Sequence, residues 1–221
     1  MSLGYMLKME RIIFMSQEAY YANMRSEVFD LIPNEPQNVL ELGCGQGVFG
    51  RHIKEKYGSN VTGIELFDSV AKLAAEVLDE VYNESLDAFD FAKLGQYDLI
   101  VANDVLEHLV DPWSVVRSLK KHLTEDGVFM TSIPNVQYHK VLTGLLKGRW
   151  EYTEAGILDR THLRFFTRKS AIELFTENGY TIQSVTPVNV DPVSKTNIVK
   201  NILKHLKPDM YILQFVIIAG K

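Results

Sequence analysis

Val39-Leu40-Glu41-Leu42-Gly43-Cys44-Gly45-Gln46-Gly47 is an aliphatic run that enters three alternating glycines. Asn38 to Leu42 has the length and composition of a buried strand, and beyond the glycines Phe49, Ile53 and Tyr57 recur at helical spacing. The stretch therefore reads as a strand, a tight loop and a helix. Such a loop leaves backbone N–H groups free at a helix N-terminus, and glycines let a ligand approach the main chain closely. The chemistry suits a nucleotide-like ligand. A dinucleotide fingerprint would need glycine where Val48 stands, and no P-loop pattern of Gly-x-x-x-x-Gly-Lys-Ser/Thr occurs, which disfavours an NAD-dependent oxidoreductase and a P-loop enzyme.

Reading outward, Asn60 to Glu65 predicts a second strand, and Val70, Leu73, Ala74, Val77, Leu78 and Val81 predict one face of a following helix. A brief third strand is expected around Glu80 to Glu84 and a fourth at Tyr97 to Ala102. Asp111-Pro112 supplies an N-cap with proline at the first helical position, so a helix is expected from Pro112 to Leu123, carrying Val115, Val116 and Leu119 inward. Gly127 to Ile133 predicts a fifth strand, stopped at Pro134-Asn135. Alternation of strands and helices implies a parallel sheet covered on both faces, because parallel neighbours need crossover connections.

The rhythm breaks between residues 136 and 166, which read as a lid or acceptor insertion. Thr167 then caps a helix bearing Ala171, Leu174, Phe175 and Asn178, with Gly179 as its stop. Tyr180 to Val188 and Met210 to Ala219 read as closing strands, with a short helix bearing Ile198, Ile202, Leu203 and Leu206 between them. Residues 1–37 read as a helical cap ending at Pro33 and Pro36, and residues 38–221 as the main domain.

Composition sets limits on partners. With 46% hydrophobic and 23% charged residues the chain is expected to be a soluble globular protein, and a net charge of -5 gives no broad footprint for nucleic acid. Cys44 is the single cysteine, so neither an intramolecular disulfide nor a zinc knuckle can form, and a reducing cytoplasm fits. The N-terminus lacks the features of a secretion signal, and Met210 to Gly220 is about half the roughly 20 residues that span a bilayer as a helix. Histidines 52, 108, 122, 139, 162 and 205 show no HExxH-like spacing, so the expectation is a metal-independent protein. The sequence leaves open a monomer or a homodimer.

Glu65 stands 18 positions after Gly47, at the end of the second strand, where an acid can accept hydrogen bonds from both hydroxyls of a ribose. Val39 to Gly47, Glu65 and the order of elements together resemble the class I S-adenosylmethionine (SAM)-dependent methyltransferases over roughly residues 35 to 221. The resemblance implies a Rossmann-like α/β fold with a seven-stranded, mostly parallel sheet, helices on both faces and a lid insertion before the last strands. It implies SAM as cofactor, with S-adenosylhomocysteine as its product. Glu41, Gly43, Cys44, Gly45 and Gly47 would hold the amino-acid part, Glu65 with Leu66 the ribose, and Glu84, Ser85 and Leu86 the adenine. Glu84 departs from the family's more usual aspartate. Tyr20, Tyr21 and Arg25 in the cap would close over SAM by the same resemblance, against an equal case for ordinary helix packing.

Ala102-Asn103-Asp104-Val105-Leu106-Glu107-His108-Leu109 resembles the segment after the fourth strand in the ubiquinone-biosynthesis-like branch of that family. Asn103, Asp104 and Val105 would border SAM there. His108 is a candidate base for an acceptor hydroxyl, with loop orientation as the competing role. Val105-Leu106 replaces the paired prolines of amino-group methyltransferases, so an oxygen acceptor is favoured over carbon. Gly148-Arg149-Trp150 and Asp159-Arg160-Thr161-His162-Leu163-Arg164-Phe165-Phe166 are similar to segments of bacterial methyltransferases associated with glycosyltransferases. In an extended strand Arg160, His162 and Arg164 would project to one side and engage an anionic or saccharide acceptor, unless Asp159 pairs with an arginine to hold the lid. The apolar, basic-edged stretch Val141 to Trp150 suits either lid packing or peripheral contact with a membrane-borne, lipid-linked acceptor. The expected function is methyl transfer to a small-molecule, saccharide or lipid-linked oxygen acceptor. The alternative is a SAM- or nucleoside-binding regulatory module without catalysis.

Overall fold

The computed structural model describes residues 25–192 and 204–221. Tyr20, Tyr21, most of the expected N-terminal cap and the expected helix at Ile198, Ile202 and Leu203 lie outside the described residues. The chain divides into a first unit ending at Ser85 and a second running from Leu86 to Lys221.

In the first unit a short helix α1 (Ser26–Phe29) precedes β1 (Asn38–Leu42), α2 (Val48–Tyr57), β2 (Asn60–Ile64), α3 (Asp68–Ala74) and β3 (Glu80–Tyr82). The strands are parallel, with Val39 opposite Val61 and Thr62 opposite Glu80. Val39, Leu40 and Leu42 are fully buried, as a strand covered on both faces requires. α2 starts and stops at glycines in the left-handed region, Gly47 at φ 75° and Gly58 at φ 73°. Phe49 and Ile53 point into the core, and the Phe49 ring meets that of Phe29 edge to face at 5.6 Å.

The helix after β2 departs from the expected apolar face. α3 ends at Ala74, its buried side chains are Ala71 and Ala74, and Leu73 is 44% exposed. Two further turns carry the chain to buried Leu78, and Val81 belongs to β3. Close packing explains the choice of small residues: a Cβ added at Gly47 would lie 3.2 Å from the Ala74 Cα and 2.8 Å from Val77 Cγ2. A leucine turned toward the glycine loop would have no room.

The second unit contains β4 (Tyr97–Asn103), α4 (Pro112–Leu119), β5 (Leu123–Pro134), α5 (His139–Leu146), α6 (Arg168–Thr176), β6 (Thr181–Val190) and β7 (Ile212–Gly220). β4 and β5 are parallel, whereas β7 runs antiparallel to both β5 and β6. The seven strands are ordered β3-β2-β1 in the first unit and β4-β5-β7-β6 in the second. α4 is capped as expected, the Asp111 carboxylate accepting the Ser114 N–H at 3.0 Å with proline next in line. It is shorter than expected, giving way at Lys120 to a 3-10 turn that delivers Leu123 to β5. Thr167 and Ser170 form a reciprocal capping box on α6.

Candidate functional site

Each unit places its polar residues at the carboxyl ends of its own parallel strands, where open α/β sheets bind ligands. In the first unit Gly43, Gly45 and Gly47 all have positive φ, at 58°, 56° and 75°. This backbone follows directly from the glycines, since a side chain at any of them would be strained. Glu65 fastens the loop: one carboxylate oxygen accepts the Gly45 N–H at 3.0 Å and the other accepts the Phe67 N–H at 3.0 Å. Each carboxylate oxygen has capacity for a further donor. Leu66 and Phe67, next to it, are more than half exposed and form an apolar shelf beside the acid.

Asn83 carries no signal in the sequence beyond lying after a short strand, yet its side-chain amide donates to the carbonyls of both Glu65 and Leu66 at 2.9 Å. It fixes the turn that aims Glu65. Glu84 and Ser85 follow it, half-buried, and Leu86 is buried.

Glu41, expected at the amino-acid part of SAM, has its side chain engaged by the chain itself. Its carboxyl is buried and accepts the Gly50 N–H at 3.0 Å, where a Cβ on residue 50 would come 2.6 Å from the same oxygen. Burial, reinforced by the charge of Glu65, pushes its pKa up to about 8, so the group is largely neutral at pH 7. Because this folded value lies above the ordinary 4.5, the folded chain holds the extra proton between the two, and stability is lost as pH rises toward 8. The two histidines described below, whose pKa values are lowered, add a slope of opposite sign that persists above the ordinary 6.5 and cancels when the wild type is compared with Glu41→Gln. Between pH 6.5 and 8 the urea-unfolding free energy of the wild type is expected to fall relative to that of Glu41→Gln by about 1 kcal/mol per pH unit. A wild-type pH profile parallel to the variant's would refute a neutral Glu41. Cys44 is also buried, and burial with the two neighbouring acids raises its thiol pKa, so it does not serve as a nucleophile.

In the second unit Asn103 ends β4 with both side-chain amide atoms buried and without a hydrogen-bond partner among the described residues. An orphaned amide at a strand's carboxyl end is a donor and acceptor held ready for a ligand. Asp104 takes the left-handed region at φ 53° and is tethered there: its carboxylate accepts from Ser132 Oγ at 3.0 Å and from Gln214 Nε2 at 2.8 Å. Val105 is buried beside it. Asp87, which sequence reasoning missed, accepts the Val110 and Asp111 N–H groups and fixes the exit of the loop.

Glu107 and His108 sit on a 3-10 turn, Leu106–His108. The Glu107 carbonyl accepts the N–H groups of both Leu163 and Arg164 at 2.9 Å, which pins the insertion to this turn. As a result His162 packs against His108, ring centroids 4.7 Å apart, and its Nε2 lies 4.0 Å from Glu107 Oε1. Burial lowers both histidine pKa values, with the mutual repulsion of the rings adding to it at His108. Both imidazoles are therefore neutral at pH 7.

Arg160, His162 and Arg164 do not form the expected one-sided cluster. The chain turns at Gly156 to Thr161 instead of extending, with Asp159 accepting from Thr161. Arg160 is exposed and pairs with Glu154 at 2.7 Å, and Arg164 donates to the Val110 carbonyl with its guanidinium 6.0 Å from the Trp113 ring. Only His162 of the three joins His108. Arg25, the described one of the three cap residues expected to close over SAM, pairs with Glu27 at 2.7 Å.

The chain matches the methyltransferase domain family over residues 16–185. It is 26% identical over 165 residues to a ubiquinone biosynthesis O-methyltransferase of Nitrosospira multiformis, covering 72% of this chain and 69% of that protein. A protein of the same name from Pseudomonas aeruginosa is 28% identical over 171 residues, covering 72% and 71%. Among solved structures, a SAM-dependent methyltransferase from Archaeoglobus fulgidus superposes with a TM-score of 0.64 at 14% identity, covering 98% of this chain and 100% of that one, a likeness of fold.

Proposed function

The chain belongs to the methyltransferase domain family, and from that premise we propose that it transfers the methyl group of SAM to an oxygen of a small-molecule acceptor. The observation that carries the reading is the glycine loop locked to Glu65 through Gly45. The same carboxylate has lone pairs left for two ribose hydroxyls, and the exposed shelf of Leu66 and Phe67 suits the flat apolar face of adenine. The backbone amides of residues 43–47 would hold the amino-acid part.

Bound SAM supplies a methyl carbon activated by cationic sulfur, and transfer to oxygen leaves the C–S electron pair on the thioether of S-adenosylhomocysteine. What the chain must add is in-line positioning and a destination for the acceptor's proton. His108 and His162 are the groups proposed for the second need, either directly at a free Nε2 or through an ion that they hold. Oxygen as the acceptor atom is supported by the O-methyltransferase names of the relatives and by the absence of prolines at Val105-Leu106. The insertion exposes Leu145, Leu146, Trp150, Tyr152 and Leu163, an apolar surface that suits an acceptor with a ring or lipid moiety. No described helix is long and apolar enough to cross a membrane.

The test is release of S-adenosylhomocysteine from SAM in the presence of hydroxylated candidate acceptors, with the methylated product identified by mass. Product and S-adenosylhomocysteine in equal amounts are expected. Calorimetric SAM binding with no release across a broad acceptor panel would favour a regulatory binding module instead, and folded protein that fails to bind SAM would sink the proposal.

A further inference from the structure

Glu107, His108 and His162 each offer a metal-ligand atom within 4.8 Å of the other two. The linear sequence hides this set, because the insertion is brought back to the turn by the bonds of the Leu163 and Arg164 amides to the Glu107 carbonyl. The orientation of the rings is more informative than their proximity. His162 Nδ1 lies 3.0 Å from the Ile157 carbonyl, and His108 Nδ1 lies 3.2 Å from the Thr161 carbonyl. A carbonyl oxygen only accepts, so each Nδ1 carries the ring proton and each Nε2 keeps its lone pair. Metal-bound histidines are prepared in this way, with the second nitrogen donating to a carbonyl that sets tautomer and aim. Glu107, 1% exposed, completes the set with a carboxylate.

From this arrangement we propose that Glu107, His108 and His162 together bind one divalent ion of the zinc class, leaving an open coordination position for the acceptor's oxygen. Two imidazoles and one carboxylate are the ligand set of an open zinc site, and imidazole nitrogen disfavours magnesium, which demands oxygen. Zinc to nitrogen and oxygen distances of about 2.0–2.2 Å place tetrahedral ligand atoms roughly 3.4 Å apart. The 4.0 Å between His162 Nε2 and Glu107 Oε1 closes to that value by a small side-chain rotation. His108 is the half-buried member, so the set is not sealed from solvent.

The binding of the ion stands on its own; its use rests on the methyl-transfer reading above. A hydroxyl that ligates the ion loses its proton to water more readily, and its oxygen then forms the bond to the methyl carbon as the C–S pair returns to sulfur. His108 Nε2 would be engaged by the ion and would not take the proton itself. The ion's oxidation state does not change.

The test uses the full chain dialysed against chelator. Zinc chloride is titrated calorimetrically and by competition with a chromogenic chelator, with magnesium chloride in parallel, and SAM binding is measured on the same metal-free protein. One zinc per chain is expected, with magnesium bound far more weakly. His162→Ala and Glu107→Gln should each lower zinc affinity by about 100-fold or more, at or beyond the 10–100-fold that changes in outer-shell partners cost. Where His162→Ala unfolds, His108→Asn at the half-buried position takes its place. Cobalt(II) bound to the wild type should show the intense visible bands of a low-coordinate nitrogen and oxygen site. No stoichiometric zinc in folded protein, or zinc affinity unmoved by all the substitutions, would overturn the proposal. Zinc binding that stands while SAM binding fails would sink the methyl-transfer reading and leave the metal site intact.

Discussion

Glu65→Ala is expected to weaken SAM binding by about 100-fold or more in calorimetric titration, while leaving the chain folded. Two hydrogen bonds from ribose hydroxyls to a carboxylate are worth about 1.5–3 kcal/mol each, and 1.4 kcal/mol is tenfold in affinity. The substitution also releases the Gly45 and Phe67 amides from the 3.0 Å bonds that shape the loop. Glu65→Gln separates the two effects. It keeps one carbonyl oxygen as an acceptor and loses the charge, so a loss of about tenfold is expected, intermediate between wild type and alanine. Affinity unchanged in Glu65→Ala would remove the ribose role and, with it, the main support for SAM at this loop.

The second large effect is one of stability. Asn135 is fully buried, and its side chain satisfies three backbone groups at once. Its amide donates to the Asp209 carbonyl at 2.7 Å and the Ile212 carbonyl at 2.9 Å, while its oxygen accepts the Gln137 N–H at 3.0 Å. It thus ties the end of β5 to the entry of β7 and to the start of the insertion. Asn135→Ala strands those three groups at about 1–3 kcal/mol each, for a loss of about 3–5 kcal/mol in urea-unfolding free energy. Asn135→Asp should be no better, since a carboxylate would face two carbonyl oxygens. A loss below about 1 kcal/mol in both variants would show that water replaces the side chain at no cost.

Features set by neighbours in sequence were legible before the structure. The glycine loop, the Asp111 and Thr167 caps, and the strands at residues 38–42, 60–64 and 97–103 all rest on local backbone chemistry, and each is found within a residue of where it was expected. Failures came where packing decided. After β2, Ala74 and Leu78 of the expected face are buried but Leu73 is exposed, and the Gly47 backbone packs against Ala74 too closely for a larger side chain. Arg160, His162 and Arg164 alternate in sequence, but alternation means one face only in an extended chain, and here it turns. The adjacency of Glu41 to the glycines says nothing of its burial or of its bond to Gly50. The pairing of His108 with the insertion joins positions 53 residues apart through Thr161, a separation at which sequence carries no pattern.

The bond from Gly45 to Glu65 also bears on speed. A binding loop that must fold around its ligand arrives at the complex in two stages, and its association rate saturates as ligand concentration rises. Here the chain's own carboxylate and three left-handed glycines hold the loop in one curve before any ligand arrives. Stopped-flow mixing with SAM should therefore give a rate that climbs linearly with concentration, without a plateau. Differences in affinity among loop variants should then appear in how fast the ligand leaves rather than in how fast it enters.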